Sequence, residues 1–260
     1  MTFSARAGQV IRMAELASLL ARNGFKGRIW CTGATADLCR IMLPDSGGLQ
    51  EEEAEFLNRH HMSRHSPALP LYTREDAVHC LKSFKTVGWD KAWEPVAGLT
   101  ARLHRAGHIP GAASVWLDSG ASTLLFSGDL GRPVDPVMRG PDPIVAADRM
   151  VVESTYGNRL HPAVDSLEQL VQVINRTAAR GGTVVIPAFA VGRAQALIHM
   201  INLLKQRNLI HRLPVYLNSP MAQDATDVFL RHPGELRLSP AECGALADGV
   251  IQVRSVEESR

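Results

Sequence analysis

The segment 99–129 constrains the fold most, because it holds three apolar strands in close succession and ends in a carboxylate. Leu99, Ala101 and Leu103 alternate with polar residues, as expected for a strand buried on one face. The strands ASVWLDS and STLLFSGD follow, and Asp129 lies where the last one meets its loop. A carboxylate is costly to bury unless a cation or hydrogen-bond donors meet it. The pattern predicts a sheet with either a bound cation or a hydrogen-bond network at this strand end.

The composition is that of an ordinary soluble chain. Its 260 residues are 45% hydrophobic and 21% charged, which suits one large domain or two modest ones. The formal net charge of +2 neither favours nor excludes nucleic acid as a partner. We expect no membrane partner, since no run of about 18 apolar residues occurs and the start lacks a secretory signal. The four cysteines show no CxxC spacing, which favours a reducing cytoplasm.

The region before residue 99 is predominantly helical by pattern. GRIWC predicts a short strand, and ATADLCRIML and the acidic stretch LQEEEAEFLNRHH predict two helices. Thr73 and Asp76 have the spacing of a capping box, with Asp in place of the usual Glu or Gln, and predict that EDAVHCLKSF is a helix. His60, His61 and His65 lie on or just past a polar helix, and we expect them to be solvated.

The pattern changes after about residue 160. Apolar residues over 167–174 have helical spacing, and the continuous apolar run in GGTVVIPAF predicts a parallel strand covered on both faces. VGRAQALIHMINLLKQ then predicts a helix, LPVYLN a strand, and Ser219 with Pro220 the start of a further helix. This order predicts a doubly wound α/β unit that follows a strand-rich one.

Three side chains of metal-binding type follow apolar strands. His108 and Asp129 each lie beside a glycine at a strand edge, and Glu153 ends the apolar run of RMVVEST. Imidazole and carboxylate bind divalent ions such as zinc, and strand ends at one sheet edge converge. Taken singly, His108 and Asp129 are equally explained as structural or surface residues, and Glu153 as a cap of its turn. The pattern leaves both interpretations open.

Five segments, in this order and spacing, carry a resemblance to a known family: HRAGHIPGAA, LLFSGDLGR, VVESTYGNRLH, GGTVVIPAFAVGRAQ and PVYLNSPMA. From about Asn23 onward the chain resembles the metallo-β-lactamase fold hydrolases of the β-CASP group, which are RNA-processing nucleases, and it is similar to their bacterial branch. The resemblance implies an α/β (α+β) fold: a partial metallo-β-lactamase αββα sandwich with an inserted doubly wound α/β β-CASP domain. It implies a divergent segment 1–22, a partial metallo-β-lactamase domain 23–160 and a partial β-CASP domain 161–260.

The resemblance also implies site residues and chemistry. His108 matches a metal-binding histidine, and Asp129 matches a catalytic aspartate that bridges two zinc ions. Glu153 matches a catalytic acidic residue that supports a histidine. The implied reaction is cleavage of RNA phosphodiester bonds by zinc-activated hydroxide, with two Zn²⁺ per site. Arg193 and Ser219 are candidate substrate contacts, because a phosphate suits arginine and a helix start; a salt bridge and a helix cap are the alternatives.

The chain also departs from the family. No HxHxDH segment precedes LARNGFKG, and family members continue past VRSVEESR with further histidines. We therefore expect a chain truncated at both ends, and a non-catalytic fragment or binding remnant is the alternative to an active nuclease. An independent nucleotide-binding domain is disfavoured, since neither GxGxxG nor GxxxxGK[ST] occurs. A hydrolase of a small ester or thioester is disfavoured by GGTVVIPAFAVGRAQ and PVYLNSPMA, because these two segments resemble the nucleic-acid-cleaving branch. Assembly as a homo-oligomer stays open.

Overall fold

The computed structural model describes residues 9–160 and 165–253, with side-chain surroundings from residue 16. The chain forms two compact units. Met1–Gly131 and Pro141–Val152 make the first, and Arg132–Gly140 and Glu153–Arg260 make the second. Residues 1–8, 161–164 and 254–260, which the expected domains include, lie outside the described residues. The expected domain limits at 22/23 and 160/161 stay proposals.

A mixed five-stranded sheet is the centre of the first unit. Its strands, in spatial order, are β3 (Trp93–Val96), β4 (Leu99–Arg105), β5 (Ala113–Asp118), β6 (Thr123–Phe126) and β7 (Arg149–Val151). Neighbours from β3 to β6 are antiparallel, and β7 runs parallel to β6. The four strands predicted over 99–129 and at 149–155 are confirmed, whereas β3 was not anticipated because its WEPV sequence contains proline and alternates only briefly.

Alternating burial explains why β4 is a strand. Ala101 and Leu103 are 1% and 5% exposed, whereas Arg102 between them is exposed. On the other face the Arg102 guanidinium stacks over the ring of Trp116, its cross-strand partner, at 5.5 Å. This period-2 pattern buries one face and leaves arginine and tryptophan on the other.

The rest of the first unit combines three helices with a small parallel pair of strands. In chain order these are α1 (Gln9–Arg22), β1 (Ile29–Cys31), α2 (Gly33–Arg59), α3 (Arg74–Cys80) and β2 (Phe84–Thr86), which pairs with β1. The prediction of two helices between 34 and 61 is wrong, because α2 is one 27-residue helix that continues through Pro44. The prediction that α3 reaches Phe84 is also wrong. Phe84 instead pairs with Ile29 and starts β2.

Close packing explains why α2 continues through a Gly-Gly pair. Gly47 is buried against the turn that starts α3, and a Cβ at this position would lie 2.7 Å from Arg74 N and from Thr73 C and O. The predicted capping box holds that turn. Thr73 Oγ1 accepts from Asp76 N–H at 3.1 Å, and Asp76 Oδ2 accepts from Thr73 N–H at 2.9 Å. The absence of a side chain at Gly47 thus lets two helices meet backbone to backbone.

The second unit is mostly helical. Its elements are α4 (Ser166–Ala178), α5 (Arg193–Gln206), β8 (Tyr216–Leu217), α6 (Pro220–Arg231), α7 (Pro240–Asp248) and β9 (Ile251–Gln252). β8 and β9 form a parallel pair. One core cluster joins Ile174, Ile201, Leu204 and Ile210, and a second joins Val137 and Met138 to Phe229, Leu236 and Cys243. The predicted helices over 166–206 and after Ser219 are confirmed.

The predicted strand in GGTVVIPAF is wrong. Residues 182–189 have no regular secondary structure, and Val185 and Phe189 are 83% and 60% exposed. A continuous apolar run forms a strand only when neighbouring strands pair with it. In the described part of the chain β8 and β9 pair only with each other, and neither pairs with this segment.

The other compositional expectations concern cysteines, histidines and membranes. All four cysteines are free and buried, and burial raises the pKa of Cys31 to about 11 and that of Cys39 to about 12. These thiols are therefore packing groups rather than nucleophiles at neutral pH. His60, His61 and His65 are exposed, which confirms the prediction. Within the described ranges, no helix is long and apolar enough to cross a membrane.

Two mid-helix glycines should respond oppositely to the same substitution. Gly47→Ala should lower the free energy of unfolding by about 1–3 kcal/mol, because the new Cβ meets backbone atoms that cannot move aside. Gly244→Ala in α7 should raise it by about 0.5–1 kcal/mol, since a Cβ there meets nothing within 4 Å and alanine favours helix. Denaturant unfolding followed by circular dichroism measures both. A stabilised Gly47→Ala variant would contradict the packing argument.

The outer edge of β7 should promote self-association. Met150, Val151 and Val152 are 43–53% exposed, and β7 is the last described strand of its sheet. Exposed apolar edge strands template aggregation, and lysine blocks them. Val152→Lys should therefore reduce light scattering by the purified chain. Val78→Lys on α3, which adds the same charge at an exposed helical valine, should not. A wild-type chain that is monomeric and melts cooperatively would overturn this prediction.

Candidate functional site

His108 lies in a tight turn between β4 and β5. Ala106 N–H donates to Ala112 O at 2.8 Å and closes the turn. The hydroxyls of Thr32 and Thr35, at the start of α2, donate to Gly111 O at 3.0 and 2.9 Å. The turn is thus held on the sheet and on a helix, and the His108 side chain is exposed to solvent.

Asp129 lies in the loop after β6 and is only 9% exposed. Ser127 N–H donates to Val151 O at 2.9 Å, and Ser114 Oγ donates to Ser127 O at 2.7 Å, so neighbouring strands fix the start of this loop. Gly128 has φ +60°, a conformation that favours glycine. The loop therefore turns sharply and buries the carboxylate one residue later.

The His108 and Asp129 loops touch through backbone atoms. Gly131 N–H donates to Ala106 O at 2.8 Å. A Cβ on Gly131 would overlap Gly107 O and lie 2.8 Å from His108 N. The structure thus brings together the two loops that the sequence singles out, and a glycine at 131 makes the approach possible.

The two donors do not make a metal site by themselves. A catalytic zinc normally takes three protein ligands and a water. Among residues 9–160 and 165–253, no group of three His, Cys, Asp or Glu side chains is placed to hold a metal ion. One imidazole and one carboxylate do not fit the zinc centre that the resemblance implies.

Glu153 follows β7 by two residues and belongs to the second unit. Since β6 and β7 are parallel, both strands end at the same edge of the sheet. Thr155 Oγ1 donates to Glu153 Oε2 at 2.6 Å, and Gly157 N–H donates to Ser154 O at 3.0 Å. Glu153 thus accepts from a hydroxyl of its own turn, and both interpretations of this carboxylate stay predictions.

A second imidazole, which the sequence analysis did not single out, lies on the strand before the His108 turn. His104 on β4 is 12% exposed, and its Nδ1 lies 2.5 Å from Asp90 Oδ1. Asp90 has φ +57°, and its N–H donates to Leu103 O at 2.9 Å, so a loop residue with unusual backbone supplies the carboxylate. No spacing rule links residues 90 and 104, so periodicity could not have found the pair.

In the second unit, Arg193 and Ser219 lie at the starts of two helices. Gly192, with φ +84° and ψ −64°, makes the sharp turn into α5, and the exposed Arg193 is its first residue. Ser219 caps α6 and accepts from Ala222 N–H at 3.2 Å, and Pro220 opens the helix. The cap predicted at Ser219 is confirmed.

One buried side chain joins these two helix starts. Gln195, in the first turn of α5, is fully buried, and its Oε1 accepts from Gly192 N–H at 2.8 Å. Its Nε2 lies 3.2 Å from Ala222 O and 3.0 Å from Thr226 Oγ1, both on α6. The first turns of α5 and α6 are therefore neighbours, which no pattern in the sequence indicates.

The amino-acid sequence of the chain is similar to a domain model and to several known proteins. Residues 194–260 match the Beta-Casp domain model. The chain is 30% identical over 213 residues to Ribonuclease TTHA0252 of Thermus thermophilus, covering 82% of this chain and 45% of that protein. It is 29% identical over 209 residues to an RNase J-like protein of Methanocaldococcus jannaschii, covering 79% and 45%. These matches confirm the resemblance to the β-CASP group of the metallo-β-lactamase fold.

A plant protein is also similar to this chain. The chain is 29% identical over 219 residues to cleavage and polyadenylation specificity factor subunit 3-I of Arabidopsis thaliana, covering 83% of this chain and 30% of the relative. It thus spans less than half the length of these curated relatives. Nucleases of the β-CASP group are metal-dependent, which contrasts with the incomplete donor set among the described residues.

Substitution of Gly131 should separate the two loops of the first unit. Gly131→Ala should lower the free energy of unfolding by about 1–3 kcal/mol, because its Cβ overlaps a backbone carbonyl. Hydrogen exchange at the Gly131 amide should become faster, since its bond to Ala106 O must lengthen. Gly88→Ala is the control, as a Cβ there meets only the flexible Lys91 side chain at 3.2 Å. Equal stability of the two variants would contradict the close approach.

Proposed function

We propose that this chain is part of a metal-dependent hydrolase of the β-CASP type that cleaves RNA phosphodiester bonds. The single observation that carries the proposal is the backbone contact between the His108 and Asp129 loops, because it joins the two loops of the first unit that carry side chains of metal-binding type. The names of the relatives, a ribonuclease and an RNase J-like protein, support RNA as the substrate.

In this proposal His108 and Asp129 are two ligands of the metal centre, which takes zinc. Their number is too small to hold a catalytic zinc, so further donors must come from outside the described residues. Asp129 is the catalytic carboxylate, and Glu153 supports a histidine of that centre. We assign no reaction step to the metal, because the described donors do not complete its coordination.

The second unit contacts the RNA backbone in this proposal. Arg193 offers a guanidinium at the start of α5, and Ser219 offers a hydroxyl at the start of α6. Helix starts carry a partial positive charge and N–H groups without helical partners, which suits them to phosphate. Arginine forms charge-assisted hydrogen bonds with phosphate oxygens. A cytoplasmic location belongs to the proposal too, and the four free cysteines support it.

A second candidate function is a non-catalytic RNA-binding remnant of such a nuclease. The observation that favours it is that the described residues place no three metal ligands together. Arg193 and Ser219 do not depend on a metal for contact with a phosphate, so RNA binding would persist when cleavage is lost. The two candidates therefore differ in metal content and turnover, not in RNA affinity.

Metal content separates the two candidates. A cleaving enzyme should retain at least about one zinc per chain after dialysis, and Asp129→Asn should lose both that zinc and RNA cleavage. Asp148→Asn, the same change at an exposed carboxylate of the first unit, should retain both. Metal analysis and a gel assay with labelled RNA provide the readouts. Negligible zinc and no cleavage in the wild-type chain would reject the enzyme and leave the remnant.

A further inference from the structure

Gln195 is a fully buried amide that contacts both helix starts assigned to RNA in the proposed function. It lies two residues after Arg193 and is 0% exposed. A buried side-chain amide is costly unless its donors and acceptor are satisfied. Here Oε1 and Nε2 of Gln195 both have hydrogen-bond partners, so the side chain is held in one orientation.

The first set of contacts holds the turn before Arg193. Gln195 Oε1 accepts from Gly192 N–H at 2.8 Å, and Nε2 lies 3.0 Å from Ala190 O. Gly192 has a positive φ that other residues rarely adopt. Because glycine adopts positive and negative φ almost equally well, the backbone alone does not hold the turn in this conformation. The bonds from Gln195 to Gly192 N–H and to Ala190 O therefore fix the direction in which α5 begins.

The second set of contacts reaches the start of α6. Gln195 Nε2 lies 3.2 Å from Ala222 O and 3.0 Å from Thr226 Oγ1, and Thr226 Oγ1 in turn donates to Ala222 O at 2.8 Å. The N–H of the same Ala222 residue donates to Ser219 Oγ at 3.2 Å. Ala222 thus links the Gln195 amide, which contacts its carbonyl, to the Ser219 cap, which accepts from its N–H.

We infer that Gln195 is a positioning residue that sets Arg193 and Ser219 against the same RNA phosphate. This inference rests on the proposed function, because it assumes that both residues contact RNA. Gln195 itself is buried and touches no substrate. Its role is to hold two helix starts in one relative position, so that a guanidinium and a hydroxyl meet one phosphate without first being ordered.

The test measures RNA affinity of the full chain in EDTA, which prevents metal-dependent cleavage. A short fluorescein-labelled single-stranded RNA is titrated at several salt concentrations, and anisotropy gives the Kd. Gln195→Met removes the amide at nearly constant volume and should weaken binding about 10-fold, with a salt slope about 0.7 smaller, as for one lost phosphate contact. Arg193→Ala should have the same two effects, and the double variant should bind no more weakly than either.

Asn202→Leu is the matched control. Asn202 lies on the same helix, and its Nδ2 donates to Ala245 O at 2.7 Å, so this variant also loses an amide contact to a backbone carbonyl. Its salt slope should equal that of the wild type even where its melting temperature falls, since loss of stability alone does not change the number of phosphate contacts. Thr226→Val removes only the hydroxyl acceptor and should weaken binding less than Gln195→Met, which keeps the inference testable where the latter does not fold.

The outcomes separate the inference from the proposed function. If Arg193→Ala weakens binding but Gln195→Met and Thr226→Val match Asn202→Leu in Kd and slope, Gln195 is structural only and the inference is wrong. If Arg193→Ala binds RNA like the wild type, the proposed role of Arg193 is wrong, and the inference fails with it. Absence of RNA binding by the wild-type chain rejects both.

Discussion

The approach of two backbone turns, at Gly107 and Gly131, is the constraint on which the polar site of the first unit depends. The loop after β6, which carries Asp129, and the turn after β4, which carries His108, make this backbone contact only because no side chain lies between them. The threonines at the start of α2 then hold the His108 turn from the opposite side. Backbone hydrogen bonds, rather than the donors themselves, therefore define the site. The contact between the two loops thus does not depend on a bound cation.

The same use of glycine recurs where helices meet or begin. Gly47 lets α2 run past the α3 turn, and Gly192 lets the chain enter α5 abruptly. In each case a side chain from the next element completes the contact: Asp76 closes the capping box, and Gln195 closes the turn before Arg193. In both places glycine allows an unusual approach of the backbone, and one hydrogen-bonding side chain holds the backbone in a single conformation.

Sequence pattern predicted the elements whose determinants are local. The strand β4 follows from its alternation, and the starts of α3 and α6 follow from the Thr73 and Ser219 caps. The predictions failed where pairing with a strand distant in the sequence determines the secondary structure. The GGTVVIPAF run satisfies every local rule for a buried strand, yet no described strand pairs with it. Phe84 reads as helical but pairs with Ile29. For the site, residue types and order pointed to His108 and Asp129, whereas no pattern could reveal the Gly131 contact or the Gln195 bridge, which exist only in three dimensions.

In the proposed function, metal binding by the first unit and phosphate binding by the second respond differently to the loss of one contact. Metal binding needs several donors at one point, so its affinity falls steeply when one donor is missing. Phosphate binding by arginine and helix starts is a sum of contacts that weakens gradually. In the proposed function, the two donors on the described residues need further ligands before any cleavage, whereas the starts of α5 and α6 contact phosphate without a metal. Removal of one metal ligand should therefore abolish cleavage and leave phosphate binding.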